Sequence, residues 1–300
     1  MLLLGPNGQV GHELSRLDFG GRELRALDRS AADLADPESL RAVIREHRPA
    51  AVLNAAAYTA VDRAESEPEV AARVNADAPR VLAEETARIG ACLVHYSTDY
   101  VFDGGQDAPY VEADAPRPLS TYGRTKLAGE RAVLEVNPRS LVFRVSWVFG
   151  VHGANFLRTM LRLARERSEL RVVADQWGAP TSAALIANVT ATVLRTMLYD
   201  PHPAASARWG LYHLTAAGET NWHAYAQYIL EQAANRGMSL KARPDAIAAI
   251  GTVDYPTAAA RPASSRLDTG KLRGAFGLAL PDWTRGVDET LDQLTSDRTP

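Results

Sequence analysis

The sequence predicts an α/β protein, a doubly wound parallel sheet of the Rossmann type with a smaller C-terminal portion. Three observations predict it. Short apolar runs alternate with helical stretches through the first 150 residues, the pattern of parallel strands joined by crossover helices. The first run, Leu2-Leu3-Leu4, ends at once in a glycine loop, Gly5-Pro6-Asn7-Gly8-Gln9-Val10-Gly11. The second run, Glu23-Leu24-Arg25-Ala26-Leu27, ends in the carboxylate of Asp28, 17 residues after Gly11.

Residues 9–17 after the glycine loop have helical character, so the start reads strand, loop, helix. That arrangement turns backbone N–H groups and a positive helix end toward a phosphate. Gly8 would let a pyrophosphate approach and Gly11 would let helix pack on strand. The spacing is G-x-x-G-x-x-G rather than G-x-G-x-x-G, and an ordinary glycine turn would read the same way. Asp28 is placed to accept hydrogen bonds from ribose hydroxyls. Arg29 beside it could meet a 2′-phosphate, which leaves NAD against NADP open. Asp33-Leu34 is expected to open a helix, with Asp36-Pro37-Glu38 as its N-terminal signal. The third strand, Ala51-Val52-Leu53-Asn54-Ala55-Ala56-Ala57, has small residues at its carboxyl end, where a flat cofactor could lie close.

The next strand, residues 93–98, ends in Ser97, Thr98 and Asp99. Ligands of open parallel sheets bind outside the carboxyl ends of the strands. Ser97 and Thr98 face opposite sides, so only one of them can meet a site at Tyr122. A helix is expected over 122–136, a strand over 141–149, a helix over 155–167 and a strand over 170–174. Further on come a polar loop at 201–208, a short strand at 211–214, a helix at 222–236 and a last helix at 283–294. Residues 241–270 show little periodicity. The division expected is an NAD(P)-binding portion over 1–150 and a mainly substrate-binding portion over 151–300, with some later strands returning to the first.

Composition narrows the function classes. With 300 residues, 46% hydrophobic and 23% charged, the chain is an ordinary globular protein with a sizeable core. A net charge of −3 argues against nucleic acid or an anionic membrane as partner. Cys92 is the only cysteine, so neither a disulfide framework nor a cysteine metal site is expected. No stretch approaches the roughly 20 apolar residues of a membrane span, and little precedes the first glycine that could be a signal peptide, so a cytoplasmic location is expected. The seven histidines show no ligand spacing, and Glu65, Glu67 and Glu69 read as a solvated helix start.

The chemistry concentrates in Thr121-Tyr122-Gly123-Arg124-Thr125-Lys126. Tyrosine and lysine four apart stand one turn apart on one helix face. A phenol ionises near pH 10, and a neighbouring ammonium is expected to lower that value. Alone, Tyr-x-x-x-Lys describes many ordinary surface pairs.

With the other stretches the chain resembles the extended short-chain dehydrogenases/reductases, and among them the reductases of dTDP-linked 4-keto-6-deoxysugars. The matching stretches are the glycine loop, Asn54 to Asp62 with Glu65-Ser66-Glu67-Pro68, Tyr96 to Gly104, and Tyr122 to Glu130. They continue in Arg144 to Gly150, Asp175-Gln176-x-Gly178-x-Pro180-Thr181 and Arg261-Pro262-x-x-Ser265-x-Leu267-Asp268-x-x-Lys271. The resemblance implies Tyr122 as general acid, Lys126 as its partner and Thr98 as the hydroxyl beside them. It implies cofactor contacts from Gly5, Gly8, Gln9, Val10, Gly11, Asp28, Asp33, Leu34, Ala57, Tyr58, Thr59, Tyr122 and Lys126. Thr98, Asp99 and Trp147 match positions that touch the nucleotide sugar. NADPH or NADH is the implied cofactor. Magnesium and a homodimer also occur in the family, and metal ligands stay unassigned here. An epimerase or dehydratase of the same fold, and a non-catalytic NAD(P)-binding regulatory subunit, are the rival readings.

Overall fold

The computed structural model describes residues 1–199 and 207–296. The polar loop expected at 201–208 therefore lies mostly outside the described residues. Six parallel strands form one sheet: β1 Leu2–Leu4, β2 Arg25–Leu27, β3 Ala51–Asn54, β4 Cys92–Thr98, β5 Ser140–Val145 and β6 Gly210–His213. Their order is β6-β5-β4-β3-β1-β2. The strand after β2 crosses to the other side of β1, so the sheet has its switch point between β1 and β3.

The inner strands are apolar on both faces because helices cover both. Leu3, Leu53, Val94, Leu141 and Phe143 meet Leu14 of α1 (Gln9–Ser15) and a helix at Ala183–Tyr199. Their alternates, Leu2, Leu4, Val52, Leu93 and Val142, meet α2 (Pro37–His47), α3 (Ala78–Arg88) and α4 (Thr121–Val136). A second core joins the helices Phe156–Glu166, Trp222–Asn235 and Trp283–Ser296 through Leu157, Leu161, Ile229, Leu230, Val287 and Leu291.

Four local readings change. Asp33-Leu34 does not open a helix. Asp33 accepts the Ala35 N–H at 2.9 Å in a turn, and α2 starts at Pro37 with Asp36 capping Glu38 and Ser39. The third strand stops at Asn54, whose Oδ1 accepts the Ala56 N–H at 3.3 Å. The strand expected over 141–149 breaks at Trp147, whose φ is +48°, and Val148–Phe149 pairs instead with Thr181–Ser182. Within the aperiodic stretch, Ile247–Ile250 forms a strand beside Leu170–Val173. Its middle residues Ala248 and Ala249 are exposed, so no alternation marked it.

Candidate active site

The helix α4 is pressed tightly into place. Ser120 caps it, its Oγ accepting the Gly123 N–H at 3.1 Å. Glu65 accepts the Thr121 N–H at 2.7 Å and its hydroxyl at 2.8 Å. Glu67 accepts the Tyr58 hydroxyl at 2.8 Å and pairs with Arg63. These two acids are anchors, which corrects the reading of a solvated helix start; Glu69 is exposed as expected. A Cβ on Gly123 would lie 2.2 Å from the Tyr100 carbonyl, and one on Gly129 would lie 2.0 Å from the Asn75 carbonyl. Only glycine permits these two approaches.

Tyr122 and Lys126 thus sit over the carboxyl end of β4. Lys126 is 2% exposed and donates to the Tyr96 carbonyl at 2.5 Å. Burial pulls its pKa down to about 8, and Glu130 pulls the other way. Tyr122 does not follow the expected fall. Burial pushes its pKa up and the Asp99 carboxylate adds to this, while the Thr98 hydroxyl opposes. The phenol is therefore held protonated at neutral pH, the form that gives a proton away. Its ring meets Tyr100 edge-on, with centroids 5.8 Å apart.

Of the two hydroxyls ending β4, Thr98 faces the phenol, and it donates to Asp99 Oδ1 at 3.0 Å. Ser97 lies on the opposite face, its buried hydroxyl unpartnered among the described residues. Asp99 is 4% exposed, and burial raises its pKa to about 6 against the hydrogen bonds of Ser265 and Thr98.

The crevice between β1 and β3 fits a dinucleotide. Gly5 has φ +77°, and a Cβ there would lie 2.8 Å from Ala56. A Cβ on Gly11 would lie 2.0 Å from the Gly5 carbonyl, so α1 packs closely on the loop that follows β1. A Cβ on Gly8 would meet only the Gly5 and Ala55 carbonyl oxygens, at 3.5 and 3.8 Å. Gln9 bonds Asn155 at 2.9 Å, joining this loop to the later half. Asp28 is exposed at the end of β2, one oxygen held by the Ser30 N–H and hydroxyl at 2.9 and 2.6 Å. Arg29 pairs with Asp33 at 3.2 Å, and Leu34 is buried below them.

Asn75 escaped the sequence reading. It sits in a π-helical turn, Arg73–Asp77, a bulge often found at functional sites. Its side chain accepts the Tyr58 N–H and donates to the Tyr58 carbonyl, both at 2.9 Å, and also reaches Thr125 on α4 at 3.3 Å. It thereby holds the Ala57-Tyr58-Thr59 segment against α4. A lone asparagine in a helical run gave no pattern to detect it by.

A cavity of about 940 Å³ adjoins this site. Tyr100, Arg261, Trp222 and Phe156 are among its lining residues. Arg261 is clasped by Asp62 at 2.7 Å, so the C-terminal motif closes onto the first half. Trp147 stacks on Trp222 with centroids 3.6 Å apart, and Gly178 leaves room for its ring. Among the described residues, no group of three or more His, Cys, Asp or Glu side chains could hold a metal ion. No helix among them is long and apolar enough to cross a membrane.

A parallel sheet with a glycine-lined switch point, and a Thr/Tyr/Lys set beside it, define an NAD(P)-dependent short-chain reductase. A family model described as the RmlD substrate binding domain matches residues 1–296. The chain is 46% identical to dTDP-4-dehydrorhamnose reductase of Escherichia coli K12, covering 98% of this chain and 97% of that protein. It is also 46% identical to the Burkholderia thailandensis enzyme, with 99% of each chain covered. The crystal structure of the Bacillus anthracis reductase in complex with NADP superposes with a TM-score of 0.88 at 33% identity, covering 97% of this chain and 98% of that one. The chain belongs to the dTDP-4-dehydrorhamnose reductase family.

Proposed function

We propose that this protein reduces the C4 keto group of dTDP-4-dehydro-L-rhamnose to dTDP-L-rhamnose with NADPH or NADH, the last step of dTDP-L-rhamnose synthesis. One observation carries the reading: a proton-bearing Tyr122 stands one turn from a buried Lys126, next to Tyr100 on the cavity wall. Full-length likeness to reductases of this activity supports it.

Reduced nicotinamide, when bound, supplies the hydride. Gly5, Gly8, Gln9, Val10 and Gly11 would hold its pyrophosphate, and Ala57-Tyr58-Thr59 would line the nicotinamide end. Asp28 would accept from the adenine ribose, with Asp33 and Leu34 beneath. Thr98 and Asp99 would orient the sugar, and Trp147 would buttress the wall through Trp222. As charge builds on the keto oxygen, Tyr122 gives it the phenolic proton and Thr98 hydrogen-bonds the same oxygen. Lys126 has three N–H donors and spends one on Tyr96, which leaves others for a ribose hydroxyl. A positioned acid of this kind is worth about 10²- to 10⁴-fold in rate.

The same reading assigns the dinucleotide to residues 1–150 and the nucleotide sugar mainly to residues 151–300. A homodimer, testable by light scattering, and a cytoplasmic location belong to it as well. The test is consumption of NADPH or NADH on adding dTDP-4-dehydro-L-rhamnose, with the product identified by NMR. One reduced cofactor oxidised per dTDP-L-rhamnose formed is expected. Protein that purifies with NAD and converts nucleotide sugar without added reductant would contradict it in favour of an epimerase or dehydratase.

A further inference from the structure

Lys126 and Glu130 stand one turn apart on α4, the spacing at which such residues ordinarily pair. Here Lys126 turns to the Tyr96 carbonyl instead. Both Glu130 oxygens are taken by Arg144 of β5, Nε to Oε2 at 2.9 Å and Nη2 to Oε1 at 2.5 Å. Lys126, Glu130 and Arg144 are each 2% exposed. Arg144 is itself held on two more sides. It lies 4.9 Å from the centre of the Phe102 ring, and its Nη1 is 3.3 Å from His213 Nε2.

A guanidinium only donates, so His213 Nε2 accepts and its proton sits on Nδ1. That proton points to the Asp268 carbonyl, 3.2 Å away. The imidazole is neutral: burial first, then the Arg144 charge, pushes its pKa down to about 3. The run from Asp268 through His213 and Arg144 to Glu130 therefore has one internally consistent set of donors.

We propose that Arg144, seated by His213, is a positioning residue for the catalytic pair: by occupying both oxygens of Glu130 it keeps the Lys126 ammonium out of an ion pair and aimed at the carboxyl edge of the sheet. The proposal rests on the reading of Lys126 as catalytic. Glu130 still acts on the lysine through space, opposing the desolvation that lowers its pKa. The other ionisable group that feels Lys126 is His95 on β4. His95 is buried and neutral, so Glu130 is the acid whose partner decides the lysine's state. A lysine at position 144 could not span both oxygens as the planar fork does.

The chain has three lysines, Lys126, Lys241 and Lys271, so side-chain ¹⁵N labelling yields three titrations that Lys126→Arg assigns. Glu130→Gln should lower the pH at which Lys126 titrates. Arg144→Met should raise it, as Glu130 turns to the lysine. Each shift should be ~0.5 unit or more, a ~3-fold change in ionisation constant. Loss of one partner from a buried pair strongly destabilises, so Arg144→Met alone could fail to fold. The Glu130→Gln/Arg144→Met double variant leaves no unpaired buried charge from this pair and should titrate like Glu130→Gln. A parental titration in Glu130→Gln and in the double variant, or shifts of the same sign in both single variants, would overturn the proposal. The titration needs no substrate, so its outcome is separate from that of the NADPH assay.

Discussion

Asp99 accepts the Thr98 hydroxyl on one carboxylate oxygen and is buried at the end of β4. Burial raises its pKa from an ordinary 3.8 to about 6. Between these values the folded protein holds a proton that the unfolded chain has lost, so stability falls as pH rises through this window. Asp99→Asn should remove that penalty and gain up to ~3 kcal/mol at pH 7, at about 1.36 kcal/mol per unit. The gain should disappear below pH ~4, near the unfolded value. Urea melts at both pH values decide it, and an equal gain at each would contradict the burial argument. Catalysis should move the other way, because Asp99 is assigned to the sugar and its charge helps keep the Tyr122 proton in place. A rise in the substrate KM, with the cofactor KM unchanged, is the expected split.

Elements are locked at two places that make separate predictions. Glu85 of α3 accepts from Arg45 at 2.7 Å across to α2, and from Arg88 at 2.7 Å within its own helix. The Arg45 and then the Arg88 hydrogen bonds outweigh burial and hold its pKa down to about 2, against an ordinary 4.5. This stability is present above pH ~4.5 and lost as pH falls toward ~2. Both arginines are half exposed, so solvent screening reduces its worth to about 2 kcal/mol. Glu85→Gln should cost that amount at pH 7 and nothing near pH ~2, by thermal or urea melts. The second lock is Gly129 against the Asn75 carbonyl. Gly129→Ala should cost about 1–3 kcal/mol by overpacking. It should also weaken NADPH binding, measured by fluorescence, because Asn75 holds Tyr58. Unchanged affinity would separate Asn75 from the cofactor site.

Across the whole molecule, two contacts tie the halves of the chain together: Gln9 with Asn155 beside the glycine loop, and Asp62 with Arg261 at the cavity. Each joins a stretch of the first half to one far along the chain. The sheet was legible in the sequence because buried parallel strands read as apolar runs, and the glycine loop because its spacing serves both the turn and the packing of α1. Tyr122 and Lys126 were legible because a four-residue spacing is local. Asn75 was not, since its meaning arises only when α4 is laid against the Tyr58 segment, and the Glu130–Arg144–His213 run was not, since its meaning arises only when α4 is laid across β5 and β6. The direction of the Tyr122 shift was missed for a related reason: spacing shows the ammonium and hides the desolvation. Arg261→Ala should raise the KM for the nucleotide sugar with little effect on NADPH binding, since Arg261 lines the cavity and not the crevice. The most direct measurement is the single-turnover rate of NADPH oxidation by dTDP-4-dehydro-L-rhamnose in the parent and Tyr122→Phe proteins, with NADPH affinity measured beside it. A loss of at least ~10²-fold with affinity retained is the expected result for a positioned proton donor. A Tyr122→Phe rate equal to the parent's would contradict Tyr122 as the source of the proton.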